Sequence, residues 1–182
     1  TMIKAAVAVD GKVRPNVAAA DLIISKLTGK NITISPTPSY KYAAKMEKTI
    51  NDGEFGGLSF TNGKWIGFQD KEITVEIDNN GETFNKLFIN TLISQPNWIM
   101  LPEVVEIYTS EYNNNYTKVG VIEIPAAEQI EGEHSRKIEY TFENGISPKY
   151  IKVIIKNLEG LPQWHASAGE SPWIFIDEIW TE

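Results

Sequence analysis

An antiparallel β-sandwich is the fold class that this chain of 182 residues predicts, and three observations predict it. Short apolar runs with alternating polar positions recur along the sequence, most clearly at 72–78 (EITVEID) and 149–156 (KYIKVIIK). Glycine and asparagine clusters punctuate the gaps: Asn79-Asn80-Gly81, Asn113-Asn114-Asn115 and Glu143-Asn144-Gly145. Helical patterning is confined to a turn or two at 40–50 (YKYAAKMEKTI), so no strand–helix–strand alternation calls for a parallel sheet. Period-two alternation broken by turn residues at regular spacing is the pattern of sandwiches and barrels.

Taken in order, the strands are expected at 72–78, 84–93, 102–109, 117–124, 137–142, 149–156 and 173–180. Upstream, 3–9 (IKAAVAV) and 17–24 (VAAADLII) flank the turn signal Asp10-Gly11-Lys12. They read as a hairpin or as the last strands of a preceding module, although the alanine-rich half also suits a short helix. Residues 27–31 read as a linker and 35–39 as an extended entry. The expected division is therefore a β appendage at 1–26 and a sandwich at 27–182.

Composition narrows the function classes. Hydrophobic residues make up 42% and charged residues 23%, enough apolar content to bury a core. A net charge of −7 opposes binding to nucleic-acid phosphates, which need a basic face. No apolar run approaches the roughly 20 residues that span a bilayer. The absence of cysteine removes thiol catalysis, thiolate metal sites and disulfides.

Strand parity predicts where chemistry collects. If successive strands run antiparallel, the loops 58–71, 94–101, 125–136 and 157–172 share one end of the sandwich. That end gathers Trp65, Gln69, Asp70, Trp98, His134, Arg136, Trp164 and His165. The pair Trp164-His165, held between Pro162 and Pro172, is the leading candidate. An indole face packs on the C–H groups of a pyranose, and an imidazole reaches its hydroxyls. Trp98 would project into the same end or plug it. Trp65, beside Phe68, suits the core better than a surface. Gln69 and Asp70 offer hydrogen bonds from the same end, and His134 and Arg136 lie in the charged stretch EGEHSRK. Trp173 and Trp180 are spaced as strand residues and are expected in the core.

Catalytic patterns are missing. Asp177 and Glu178 are neighbours on an expected strand and should point to opposite faces, which disqualifies them as a paired acid and base. There is no HExxH, GxSxG, Walker loop or GxGxxG in the chain.

Six segments together resemble the coagulation factor V/VIII type C (discoidin-like) domain, and within it the family 32 carbohydrate-binding modules. They are SPTPSYKY (35–42), TINDGEFGG (49–57), KWIGFQDKEITVEID (64–78), NWIMLPEVVEIYTS (97–110), KYIKVIIKN (149–157) and PQWHASAGESPWIFIDEI (162–179). The last is most similar to the C-terminal module of Bacteroidetes family 20 β-N-acetylhexosaminidases, and residues 2–24 resemble the end of the small β domain that precedes it. The resemblance implies a jelly roll that binds galactose or N-acetylhexosamine glycans through loops at one end, without catalysis of its own. It also implies an upstream glycoside hydrolase domain as partner, and a secreted, periplasmic or cell-surface location. A structural Ca²⁺ is implied near the other end, held by the Thr49 carbonyl, Asp52, Glu54, the Asp177 carbonyl and Glu178. Two further readings are an interdomain module without a ligand and a protein- or cell-surface adhesion domain.

Overall fold

The computed structural model describes residues 2–21, 25–112, 114–126 and 128–182. Strands β1 (Met2–Val9) and β2 (Lys12–Asp21) form a two-stranded antiparallel sheet of their own. Asp10 and Gly11 close it at φ 51° and 73°, the twist a two-residue hairpin demands. The second strand thus begins at Lys12, five residues before the expected start, and its alanine-rich part is strand rather than helix; the expected residues 22–24 lie outside those described.

The remaining strands make two packed sheets. β3 (Ile32–Ser35), β5 (Glu72–Asp78), β10 (Tyr150–Lys156), β7 (Val104–Ser110) and β8 (Thr117–Glu123) lie side by side in that order. Opposite them run β4 (Ile66–Phe68), β11 (Ile174–Thr181), β6 (Phe84–Ser94) and β9 (Glu133–Ile146). All pairings are antiparallel. Alternation explains the core: Ile73, Val75 and Ile77 of β5 and Ile151, Val153 and Ile155 of β10 point inward and are buried. They meet Leu87 and Ile89 of β6 and Ile174, Ile176 and Ile179 of β11 from the other sheet. The edge strands β8 and β9 are tied across the sandwich by Tyr140, whose ring covers Gly120 and whose hydroxyl donates to the Val119 carbonyl at 3.0 Å.

Strand ends depart from expectation where polarity hides them. Residues 40–42 and 46–51 form 3₁₀ turns rather than an α-helix. β3 falls between the expected linker and the extended entry, β4 occupies a segment expected as loop, and β9 extends four residues beyond each end of its expected range.

Register confirms the parity argument. Lys156 pairs with both Glu72 and Val104, and Val104 with Glu123, so these four strand ends are together. In the other sheet Ile174 pairs with Phe68 and Ser94 with Glu133. The connections 69–71, 95–103, 124–132 and 157–173 therefore all cross between sheets at one end.

The outer face of the five-stranded sheet carries a charge cluster. The Glu106 carboxylate receives Lys118 at 2.7 Å, the Tyr108 hydroxyl at 2.8 Å and Lys156 at 3.1 Å. The Lys118 and Tyr108 hydrogen bonds, with Lys156, hold Glu106 down to about 2 from 4.5. A depressed carboxyl stabilises the fold above its unfolded value, and that contribution disappears as pH falls through about 2. With both lysines part-exposed, we expect Glu106→Gln to cost about 2 kcal/mol at neutral pH. Urea unfolding from pH 6 to pH 2 checks it: the native protein should lose this increment on acidification and the variant should not.

Candidate functional site: a cleft at the loop-bearing end

The connection 157–173 is an internally braced excursion. Asn157, buried at its base, donates from its side chain to the carbonyls of Pro172 (2.9 Å) and Asp70 (3.3 Å). The Leu161 and Gly169 amides donate across its neck to Glu170 and Leu161 carbonyls. Leu161 is buried beneath, and Gly169 turns at φ 88°. Chain that returns to its start and bonds within itself is a preorganised loop. Trp164 and His165 stand at its tip, ring centroids 5.9 Å apart.

Trp164 is 37% exposed, the large aromatic that the loop presents to solvent. His165 does different work from that expected. Its Nδ1 accepts the Ser167 amide at 3.0 Å, which leaves Nε2 to carry the proton and donate to the Gln95 carbonyl at 2.9 Å. Both ring nitrogens are spent inside the protein. The imidazole braces the loop rather than meeting a ligand's hydroxyls.

Around this pair lies an open cleft of about 390 Å³, lined by Gln95, Pro96, Gln129, Glu131, Trp164 and His165 among others. Three connections thus build it, from β6, β8 and β10. Gln95, which no motif or periodicity singles out, is its keystone. It is 5% exposed; its amide donates to the Glu128 carbonyl at 2.7 Å and accepts from the Ile130 amide at 2.9 Å. Its carbonyl holds His165, so one residue fastens two loops. Chemically the cleft offers an indole wall, the exposed Gln129 amide and the exposed Glu131 carboxylate, the ingredients for packing against a ring and bonding to its hydroxyls.

The other candidates separate. Trp65 is no part of a binding surface: at 1% exposure it packs with Leu92, Ile99 and Phe175, in the core where its place beside Phe68 puts it. Trp98 is half-buried in the left-handed region (φ 66°) after the 3₁₀ turn Gln95–Asn97, and it does not line the cleft. Gln69 and Asp70 are exposed at this end but outside the cleft; the Gln69 amide bonds the Ser171 carbonyl at 3.0 Å. His134 and Arg136 stand on strand β9, not on a loop. His134 Nε2 is tied to the Glu131 carbonyl at 2.7 Å, and Arg136 lines a neighbouring cleft. Trp180 is core and stacks on Phe88, whereas Trp173 is half-buried against Tyr42 and Phe175.

The expected metal residues gather around loop 52–56. A bulge between Ile176 and Glu178 breaks the alternation of β11, so Asp177 and Glu178 both reach this loop instead of opposite sides. Asp177 accepts the Gly56 amide (2.5 Å) and the Asn90 side chain (2.8 Å). Glu178 accepts the Gly53 amide at 3.0 Å through one oxygen, while its buried Oε1 has no partner. Desolvation raises Asp177 to about 7 and Glu178 to about 9. Asp52 and Glu54 share the Lys45 ammonium at 2.8 and 3.3 Å, and Thr49 Oγ1 accepts the Lys45 amide. Hard oxygen donors with one orphaned carboxylate oxygen fit a calcium ion in kind. Lys45 holds two of them, and no three acidic or histidine side chains converge on one point among the described residues.

Comparison with known proteins now bears on this arrangement. The chain is similar in structure to a fucose-binding module of Streptococcus pneumoniae, with TM-score 0.53 and 16% identity over 88% of this chain and 98% of that one. It is similar to a CBM32 module of Clostridium perfringens in complex with GalNAc-β-1,3-galactose, with TM-score 0.52 and 13% identity over 82% and 91%. A Ruminococcus gnavus GH29 fucosidase in complex with fucose matches at TM-score 0.52 and 10% identity over 87% of this chain, which spans only 26% of the fucosidase. At such identities the likeness establishes the fold, an all-β jelly roll of the galactose-binding-like type. By sequence, no family model and no curated protein matches.

Proposed function

We propose that this chain is a non-catalytic glycan-binding module whose ligand lies against Trp164 in the cleft at the loop-bearing end. The observation that carries the reading is an exposed indole on a hydrogen-bonded loop, walling an open cleft of monosaccharide-admitting size. That solved neighbours of the same fold bind fucose or GalNAc-β-1,3-galactose supports it. Galactose and N-acetylhexosamine termini are the expected ligands. An open cleft buries one face of a sugar, so single-site affinity should be weak, on the order of 1 mM, with avidity supplying the rest.

Calorimetric titration with galactose, N-acetylglucosamine, N-acetylgalactosamine and fucose tests the reading. Trp164→Ala should weaken binding at least tenfold, about 1.4 kcal/mol. Silence across a broad glycan panel would sink the proposal.

Two finer parts belong to the same reading. The fucosidase neighbour supports a glycoside hydrolase as the parent polypeptide, and the expected activity there is that of a β-N-acetylhexosaminidase, testable with a chromogenic N-acetyl-β-hexosaminide. A calcium ion would be held by Glu178, Asp52, Glu54 and the Thr49 and Asp177 carbonyls, supplying charge to loop 52–56 once Lys45 swings into solvent. Millimolar CaCl₂ should then raise the melting temperature by several degrees, roughly 2–4 °C per kcal/mol gained, and Glu178→Gln should abolish the response. Identical melting in CaCl₂ and EDTA would leave Lys45 as the loop's resident cation.

A further inference from the structure

The segment 128–130, clamped by Gln95, has a second cleft on it. This one measures about 290 Å³ and is floored by Ile93, Met100, Leu101, Ile124 and Ile130, with Arg136 at its wall. Gln95 and Ile130 line both this cleft and the one at Trp164, so the two are neighbours that share a wall. Arg136 is placed by β9, where it pairs with Thr91 of β6 and its carbonyl accepts the Thr91 hydroxyl at 2.9 Å. Its backbone is fixed in the sheet while its side chain is exposed.

That guanidinium lines the cleft without an ion pair, a state it shares with Lys30, Lys41, Lys48 and Lys149 elsewhere on the body. Every ion pair among the described residues is made by a lysine, and Arg136 takes part in none. In a chain with 24 acidic against 17 basic residues, carboxylates to neutralise an arginine are plentiful. Glu128 lines the same cleft, yet it does not pair with Arg136. A planar guanidinium left open beside apolar side chains matches a carboxylate bidentately, and the isoleucines match a C–H face or a methyl group next to it.

We propose that this second cleft is a subsite for an acidic sugar, one that carries a carboxylate and an apolar substituent, linked to the sugar that rests on Trp164. The inference rests on the glycan-binding reading above and adds the class of ligand. Orientation follows from charge: the carboxylate goes to Arg136, away from Glu128 in the same cleft and from Glu131 in the neighbouring one. The site would therefore read an acidic oligosaccharide in one direction along the rim.

The probes are lactose, 3′-sialyllactose and a hyaluronan tetrasaccharide, titrated into the native protein and into Arg136→Gln at low and high NaCl. At least one acidic probe should bind about tenfold more tightly than lactose at low salt, with the advantage shrinking as salt rises. Arg136→Gln should erase the advantage, keep the lactose affinity and leave the melting temperature unchanged. Acidic probes that bind no better than lactose, or that keep their advantage in Arg136→Gln, overturn the acidic subsite and leave the module reading intact. Binding of none of the three probes by the native protein, with neutral monosaccharides silent as well, overturns both.

Discussion

Exchanging Gly56 for alanine is expected to lower the unfolding free energy by about 3 kcal/mol, the upper part of the range for an overpacked core. A Cβ at this position would meet Nε1 of Trp65 at 2.2 Å and Cε2 at 2.4 Å. Neither side has room to yield. The indole is pinned among Leu92, Ile99 and Phe175 in the interior, and Gly56 is held by its amide on Asp177 and its carbonyl on the Asn62 side chain. The same contact explains the buried Trp65 Nε1 that finds no acceptor: the tight glycine turn leaves no space for water beside it. Urea unfolding should show a lower midpoint with an unchanged slope. A loss under 1 kcal/mol would mean that loop 52–65 lifts freely off the sandwich.

Asp177→Ala should cost about the same, for a different reason. The carboxyl accepts the Gly56 amide and the Asn90 side chain, and Asn90 in turn accepts the Ser135 hydroxyl. One residue thus joins loop 52–56, β11, β6 and β9. Removing it strands two donors in the interior, at about 1–3 kcal/mol each, offset in part by relief of a desolvated acid. The net expectation is about 3 kcal/mol, read by the same urea titration. Because Gly56 and Asp177 share a hydrogen bond, the double variant should lose measurably less than the sum of the two. Full additivity would contradict the shared contact.

How much of this was legible in the sequence depends on what each residue faces. β5 and β10 each bury one face, so alternation announces them almost to the residue. β9 lies at a sheet edge with most of its side chains in solvent, and EHSR and ENG at its ends carry no hydrophobic pattern to mark them as strand. That is why His134 and Arg136 were expected on a loop. The order of strands was enough to bring three distant connections to one rim, because parity needs only the number of strands and not their exact bounds. The side-chain roles were not accessible. Whether an imidazole faces solvent or spends both nitrogens on the Ser167 amide and the Gln95 carbonyl is decided by backbone atoms of other segments. Gln95 has no periodicity to betray it, and the bulge that turns Asp177 and Glu178 toward one loop overrides the alternation that should have parted them.

The late position of β11 in the chain has a consequence for synthesis. This strand fills the middle of its sheet between β4 and β6, and every one of its eight residues is buried. A nascent polypeptide emerging from the ribosome therefore has a gap at its centre until residues 174–181 are out. Until then β4 and β6 lack their shared neighbour, and the apolar faces they would bury remain open to chaperones or to mispairing. Folding of this body therefore waits for β11, the strand that joins β4 to β6.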